Sequence, residues 1–179
     1  PHEVYQREDG TLGVKIPDTV WDAFINREKL EECTIESPEG RKEKIMKEHC
    51  GDLYSFETDV TFSEGTHSFG IRVYDDTETE QSYQFIFQCN ENRYICEKNP
   101  NWPWFSYLSQ GSERPIELEA GRKYNIRLIV DDTIGTIYID GVALNARLYT
   151  KPGDALGIFV SEGTLKIENC SISTELNKK

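Results

Sequence analysis

From Leu53 onward the side chains alternate with a period of two, and this limits what the chain can fold into more than any other feature. Tyr54, Phe56, Thr58, Val60 and Phe62 alternate with Ser55, Glu57, Asp59 and Thr61. The same rhythm runs through Phe69, Ile71 and Val73, through Tyr83, Phe85 and Phe87, and through Tyr124, Ile126, Leu128 and Val130. Shorter runs follow at 136–140, 142–149, 156–161 and 165–172. Successive side chains of a strand point to opposite faces, so such a pattern puts one face in a core and one in water, which suits antiparallel sheets. Turn-forming clusters lie between the runs, among them Ser63-Glu64-Gly65, Asp75-Asp76-Thr77, Pro152-Gly153-Asp154 and Ser161-Glu162-Gly163. Asp140-Gly141 between two β runs is the strongest hairpin signal. About eight to ten strands with regular turns and no intervening helix predict an all-β, two-sheet antiparallel β-sandwich.

The first fifty residues read differently. Pro1 to Lys15 is a polar lead-in with a turn at Glu8-Asp9-Gly10 and an extended piece from Leu12 to Ile16. The run from Asp18 to Phe24 predicts a short helix, capped by Asp18 or Thr19, with Val20 and Phe24 on one face. Residues 27–49 are dominated by charge, most densely at Arg41-Lys42-Glu43-Lys44, and offer no element. The expected organisation is a lead-in with a short helix over 1–50 and a sandwich over 51–179. A first residue of Pro1 rather than Met is expected of a piece cut from something longer.

Charge narrows the functional classes. Twenty Lys and Arg against 32 Asp and Glu leave a net charge of −12. Phosphate binding draws its affinity from clustered cations, so nucleic acid is not an expected partner. A mean hydropathy of −0.61 and no apolar run near the ~20 residues of a membrane span argue against a bilayer. Neutral, hydroxyl-rich ligands meet no such objection. Five cysteines form no CxxC pair, which leans towards idle thiols in a reducing compartment and gives no metal site. The three histidines stand in no hydrolase motif, and acidic pairs are expected by chance among 32 carboxylates, so no catalytic residue and no cofactor are expected.

Three groups could bind something. The aromatic segment Asn101-Trp102-Pro103-Trp104-Phe105-Ser106-Tyr107 breaks the strand rhythm. Its indoles could stack on the apolar faces of sugars, or plug an edge of the sandwich. Period two also puts Glu57 and Asp59, then Arg72 and Tyr74, then Gln84 and Gln88 on the water side of three successive strands. If those strands are neighbours, a carboxylate, a guanidinium and an amide converge on one face, with Gly70 leaving room above Arg72. The alternative is an ordinary solvated face with a cross-strand ion pair. The doublets Asp75-Asp76 and Asp131-Asp132 could hold calcium, although no EF-hand spacing supports it.

Leu128-Ile129-Val130-Asp131, Ile137-Tyr138-Ile139-Asp140-Gly141 and Leu156-Gly157-Ile158-Phe159-Val160-Ser161-Glu162-Gly163 together resemble the C-terminal β-sandwich of glycoside hydrolase family 32, the fructan- and sucrose-cleaving enzymes. The lead-in through Asp9-Gly10-Thr11-Leu12-Gly13-Val14-Lys15 resembles that family's linker between catalytic propeller and sandwich. The family's catalytic motifs belong to the propeller. Glu32-Cys33 and Asn99-Pro100-Asn101-Trp102 echo fragments of them in the wrong surroundings and are not carried over. The family 66 carbohydrate-binding modules are a similar fold. Phe56-Glu57-Thr58-Asp59-Val60 and Phe69-Gly70-Ile71-Arg72 resemble their glutamate- and arginine-bearing strands.

The resemblance implies a concanavalin- or jelly-roll-like sandwich without catalysis of its own, from a family 32 β-fructosidase. It also implies that Glu57 and Arg72, with Asp75 nearby, grip a fructosyl unit. The expected ligand set is Glu57, Arg72, Asp75, Gln84, Trp102 and Trp104. The expected partners are a fructan or fructose-containing oligosaccharide and an intramolecular propeller, or, in the purely structural alternative, the propeller alone.

Overall fold

The alternating runs become strands, and one long strand near the C-terminus joins them into two layers. A computed structural model describes residues 1–101 and 112–177. In chain order its elements are β1 (Glu3–Gln6), β2 (Leu12–Lys15), α1 (Asp18–Trp21), β3 (Phe24–Ile25), β4 (Glu28–Lys29), β5 (Cys33–Lys47), β6 (Leu53–Phe62), β7 (Ser68–Asp75), β8 (Ser82–Gln88), β9 (Arg93–Asn99), β10 (Glu113–Pro115), β11 (Tyr124–Asp131), β12 (Ile134–Ile139), β13 (Val142–Arg147), β14 (Ala155–Ser173) and β15 (Glu175–Leu176). The hairpin expected at Asp140-Gly141 is present, both residues having positive φ (45° and 72°), as a twist-matched two-residue turn requires.

The main path runs β10-β9-β8-β7-β14-β6-β11-β12-β13. Residues 155–161 of β14 pair with β7, whereas residues 165–173 pair with β6. The change of partner falls at a register shift between Ser161 and Gly163, with Glu162 at φ 51°. A β-carbon on Gly163 would lie 2.1 Å from the Thr66 hydroxyl, so the bend needs glycine there. The strand thus turns a corner and belongs to both layers. Sheet I holds the first half of β14 with β7 to β10, and sheet II holds its second half with β6 and β11 to β13.

The layers face each other over one core. Phe85 of sheet I stands 3.0 Å from where a β-carbon on Gly135 of sheet II would be. At one end, stacked and tilted rings link Tyr124, Phe62, Phe69, Phe87 and Tyr94 across both layers, with centroids 4.9 to 6.5 Å apart. Phe56, Phe85, Phe87, Leu128 and Leu144 are wholly buried, each contributing roughly 1.5–3 kcal/mol.

Four sequence expectations need correction. Residues 27–49 do form structure: β4 and β5 both pair along β14. Much of β5 is wetted on both faces, so it carries charge instead of alternation. β9 also escaped notice because Lys98, 1 % exposed, occupies an inward position. The helix is a single turn with Pro17 as its N-cap and no side-chain cap, and Phe24 already belongs to β3. Tyr74 is not on the water side: its positive φ of 50° breaks the alternation, and the ring joins the core while its hydroxyl donates to the Asp132 carbonyl at 2.6 Å.

The lead-in lies against sheet II. Ile16 and Trp21 bury against Tyr138, flanked by Val14, Val20, Ile129 and Ala143, so α1 and β2 cover part of that sheet's outer face. The Val14 amide donates to the Gly141 carbonyl at 2.8 Å, and β15 pairs with β3. Among the described residues no helix is long and apolar enough to cross a membrane.

Candidate functional site

On sheet I the outward positions of β7 and β8 carry Arg72 opposite Gln84, and Gly157 of β14 lies across from Arg72 on the other side. Arg72 is only 4 % exposed, and its donors are taken up within the fold. Its Nη2 donates to Asp75 Oδ1 at 2.6 Å and to the Glu80 carbonyl at 3.4 Å, its Nε reaches the Ser82 hydroxyl at 3.3 Å, and Nη1 pairs with Glu43. Asp75 lies beneath it. Burial outweighs the Arg72 and Arg41 charges and moves this carboxyl above its ordinary value, and among the described residues its buried Oδ2 has no hydrogen-bond partner. The doublet partner Asp76 instead closes a turn onto Thr79, and Asp132 pairs with Lys151. Among the described residues no cluster suited to a metal ion occurs.

Above Arg72 sits a second guanidinium. Arg41 of β5 holds Glu43 Oε1 at 2.6 Å through Nε and Gln84 Oε1 at 2.9 Å through Nη1. Glu43 therefore bridges both arginines through its two oxygens. The Arg41 carbon centre lies 3.5 Å over the ring of Phe159, a strand residue of β14 that turns away from the core. The space expected above Gly70 is filled by that ring: a β-carbon on Gly70 would be 2.7 Å from Phe159 and 2.1 Å from the Phe85 carbonyl. Burial and the neighbouring Arg72 lower Arg41 to about 10, so it stays charged near neutrality. Arg41 and Glu43 remain about one-third exposed (31 % and 35 %), which makes them the part of this array that a ligand can reach.

Sequence reasoning thus found Arg72, Asp75 and Gln84, which the fold brings together, and missed Arg41, Glu43 and Phe159. The two charged residues sat in the block where no element was expected. The outward turn of Phe159 was legible from Leu156, Ile158 and Val160 alternating with it.

Glu57 does not join them. The premise was that β6 and β7 are neighbours, but they lie end to end along one edge of β14, on either side of its bend, with β5 along the other edge, so Glu57 is on sheet II. There it accepts from Arg127 Nε at 2.7 Å and from Asn125 at 3.2 Å. Arg127 and Arg27 both lie over the ring of Trp21, at 4.7 Å and 4.0 Å. Trp102 and Trp104 lie outside the described residues.

A second concavity lies where the β1–β2 hairpin meets the outer face of sheet II, close to Glu57. This cleft of ≈ 250 Å³ is lined by Tyr5, Lys15, Arg122, Lys123, Asn125, Arg127 and Tyr138, among others.

The two-layer antiparallel sandwich is a fold shared with solved structures of low sequence identity. The carbohydrate-binding module CBM66 from Bacillus subtilis superposes with a TM-score of 0.62 at 13 % identity, over 97 % of this chain and 92 % of that one. The Aspergillus kawachii β-fructofuranosidase complexed with glycerol gives 0.72 at 13 % identity, and the fructan 1-exohydrolase IIa of Cichorium intybus in complex with 1-kestose gives 0.74 at 11 %. These two matches take in 98 % and 100 % of this chain but 33 % and 41 % of theirs, so it spans well under half the length of those enzymes. None of the curated proteins compared with the chain matches it. A family model described as glycosyl hydrolases family 32 C terminal matches residues 25–174, and the chain belongs to that family.

Proposed function

We propose that the chain is a non-catalytic carbohydrate-binding domain of a family 32 β-fructosidase, and that its ligand is a fructan or β-fructoside held on the outer face of sheet I. The observation that supports this most is the array of Arg41, Glu43 and Gln84 over the Phe159 ring. A guanidinium and a carboxylate at the rim, backed by an amide, offer charge-assisted hydrogen bonds to vicinal hydroxyls. In this reading Arg72 and Asp75 do not touch sugar; they hold Glu43, and through it Arg41, in place. A small polar ligand on such a surface binds weakly, on the order of 10 µM to 1 mM. Titration of levan and inulin against the chain tests it. Arg41→Ala and Glu43→Ala are expected to abolish the heat of binding while Glu57→Ala leaves it. Absence of heat with both polymers, or loss with Glu57→Ala alone, would sink the reading.

A second reading is a domain that docks on and stabilises the catalytic propeller of the parent enzyme. It is supported by an apolar groove of ≈ 480 Å³ beside Pro1, lined by Val20, Phe24, Ile129, Ile134 and Leu176. Ile134 and Leu176 are 51 % and 40 % exposed there, more than a domain closed on itself needs.

A further inference from the structure

The cleft between the N-terminal hairpin and sheet II gathers cations in an acidic chain. Four of the chain's 20 lysines and arginines line it: Lys15, Arg122, Lys123 and Arg127. Asp140 is the one acid in that lining. The other acids that pair with these cations stand outside it: Glu3 and Asp18 for Lys15, Glu168 for Lys123, and Glu57 for Arg127. The cation side chains are reachable, with 44 %, 50 %, 51 % and 37 % exposure in chain order. Each also keeps donors to spare. Arg122 bonds Asp140 through Nη2 and lies over the Tyr124 ring, and Arg127 bonds Glu57 through Nε and lies over the Trp21 ring, while their other nitrogens make no ion pair among the described residues. Cations outnumber the acid four to one in this wall, and a concave site focuses the field of its lining, so it favours an oxyanion even on a protein of net charge −12.

The rest of the lining limits the kind of anion. Asn125 spends its amide nitrogen on Glu57 and Asp59 and leaves its oxygen to accept from a hydroxyl, while Tyr5 and Tyr138 put two phenol rings beside the cations, suited to the apolar face of a small ring. A volume of ≈ 250 Å³ holds one monosaccharide and no polymer. We propose that this cleft binds a monosaccharide-sized polyol bearing one oxyanion, a phosphate ester or a carboxylate. The inference is independent of the sheet I site, which uses other residues on another layer.

The test is calorimetric titration of the intact chain with fructose 6-phosphate, gluconate and uncharged fructose at low and at 0.5 M salt. At least one of the two anions is expected to bind about tenfold or more tightly than fructose, with that preference lost in salt. Lys15→Gln and Lys123→Gln, both at exposed positions, are each expected to weaken the anion roughly tenfold, as loss of a charge-assisted bond does. Asn125→Asp, which adds a negative charge to the wall, should do the same. Lys42→Gln makes the identical charge change on β5 and should leave binding alone. Equal binding of charged and uncharged ligands, no binding at all, or equal weakening by Lys42→Gln would overturn the proposal.

Discussion

The guanidinium of Arg41 lies 3.5 Å above the ring of Phe159, with its Nε on Glu43 and its Nη1 on Gln84. A planar cation fixed along two edges thus lids an aromatic ring on the outside of a sheet. Arg41→Lys keeps the charge but cannot hold both partners in one plane or stack as well. It is expected to cost about 1 kcal/mol in urea unfolding, and Arg41→Ala about 1–2 kcal/mol. Midpoints equal to the parent's for both would show the stack to be energetically idle.

Arg72 and Asp75 are a buried pair, 5 % and 1 % exposed at the side chain, and breaking one half should cost more than removing both. Arg72→Met leaves Asp75 in a dry site without its cation and is expected to lose about 3–5 kcal/mol. Adding Asp75→Leu should recover part of that loss. A double-mutant cycle by urea denaturation measures it, and strictly additive losses would contradict the pairing.

Gly70 has no room for a side chain, with the Phe85 carbonyl 2.1 Å and the Phe159 ring 2.7 Å from the β-carbon position. Gly70→Ala must push β7 away from β8 or displace the ring. The expected loss is about 1–3 kcal/mol or more, read from the thermal midpoint. Gly65→Ala, where a β-carbon meets open space but φ is +79°, separates backbone strain from crowding and should cost less.

His2 ties the lead-in to sheet II in a way that depends on pH. Its Nδ1 lies 2.9 Å from the Tyr138 hydroxyl and its Nε2 accepts from the Asn145 amide at 2.9 Å, while Thr136 donates to the Asn145 oxygen and sets that amide's direction. Partial burial holds the imidazole below its ordinary 6.5. The unfolded chain therefore binds more protons between the folded value and 6.5. The contribution is whole above pH 6.5 and is lost as pH falls through the folded value. Lowering the pH from about 7.5 to about 5 should reduce the protection factor of the Val14 amide, its exchange rate corrected for the intrinsic pH dependence, in the parent. In His2→Phe that reduction should be absent, and an equal response in both would refute the coupling.

Thiol chemistry should divide the five cysteines. Burial pushes Cys50, Cys89 and Cys170 up to about 12 and raises Cys96 as well. Cys33 is half-buried at the start of β5. With a disulfide reagent at about pH 8, one thiol is expected to react in the native chain, and Cys33→Ser should abolish that reaction. The others should follow only on unfolding. Fast labelling of two or more would contradict the burial.

What could be read in advance follows from how local the governing physics is. Alternation is local, so β6, β8 and β11 were legible residue by residue, β7 as far as Val73, and so was the Asp140-Gly141 turn. β5 was not, because a strand wetted on both faces has no need of an apolar period. The placement of Glu57 was also out of reach. β6 and β7 are consecutive in the chain, yet they pair with successive halves of β14, some eighty residues later, and its bend puts them in different layers. Nothing in either strand reports that corner. The partnership of Arg72 with Asp75 spans three residues and was visible as proximity, while the claim of Glu43 on the same guanidinium required β5 to be laid against β14.

That late strand also sets when the domain can exist during synthesis. Both layers close through residues 155–173, and their partners begin at Cys33, Leu53 and Ser68. Until the ribosome has released that stretch, β6 and β7 have no common neighbour, and the exposed edges of two half-built sheets must wait in the open. A nascent chain of this kind can close its two layers only once that stretch has emerged, and β5, which pairs with β14 alone, stays a charged, unpaired segment until then.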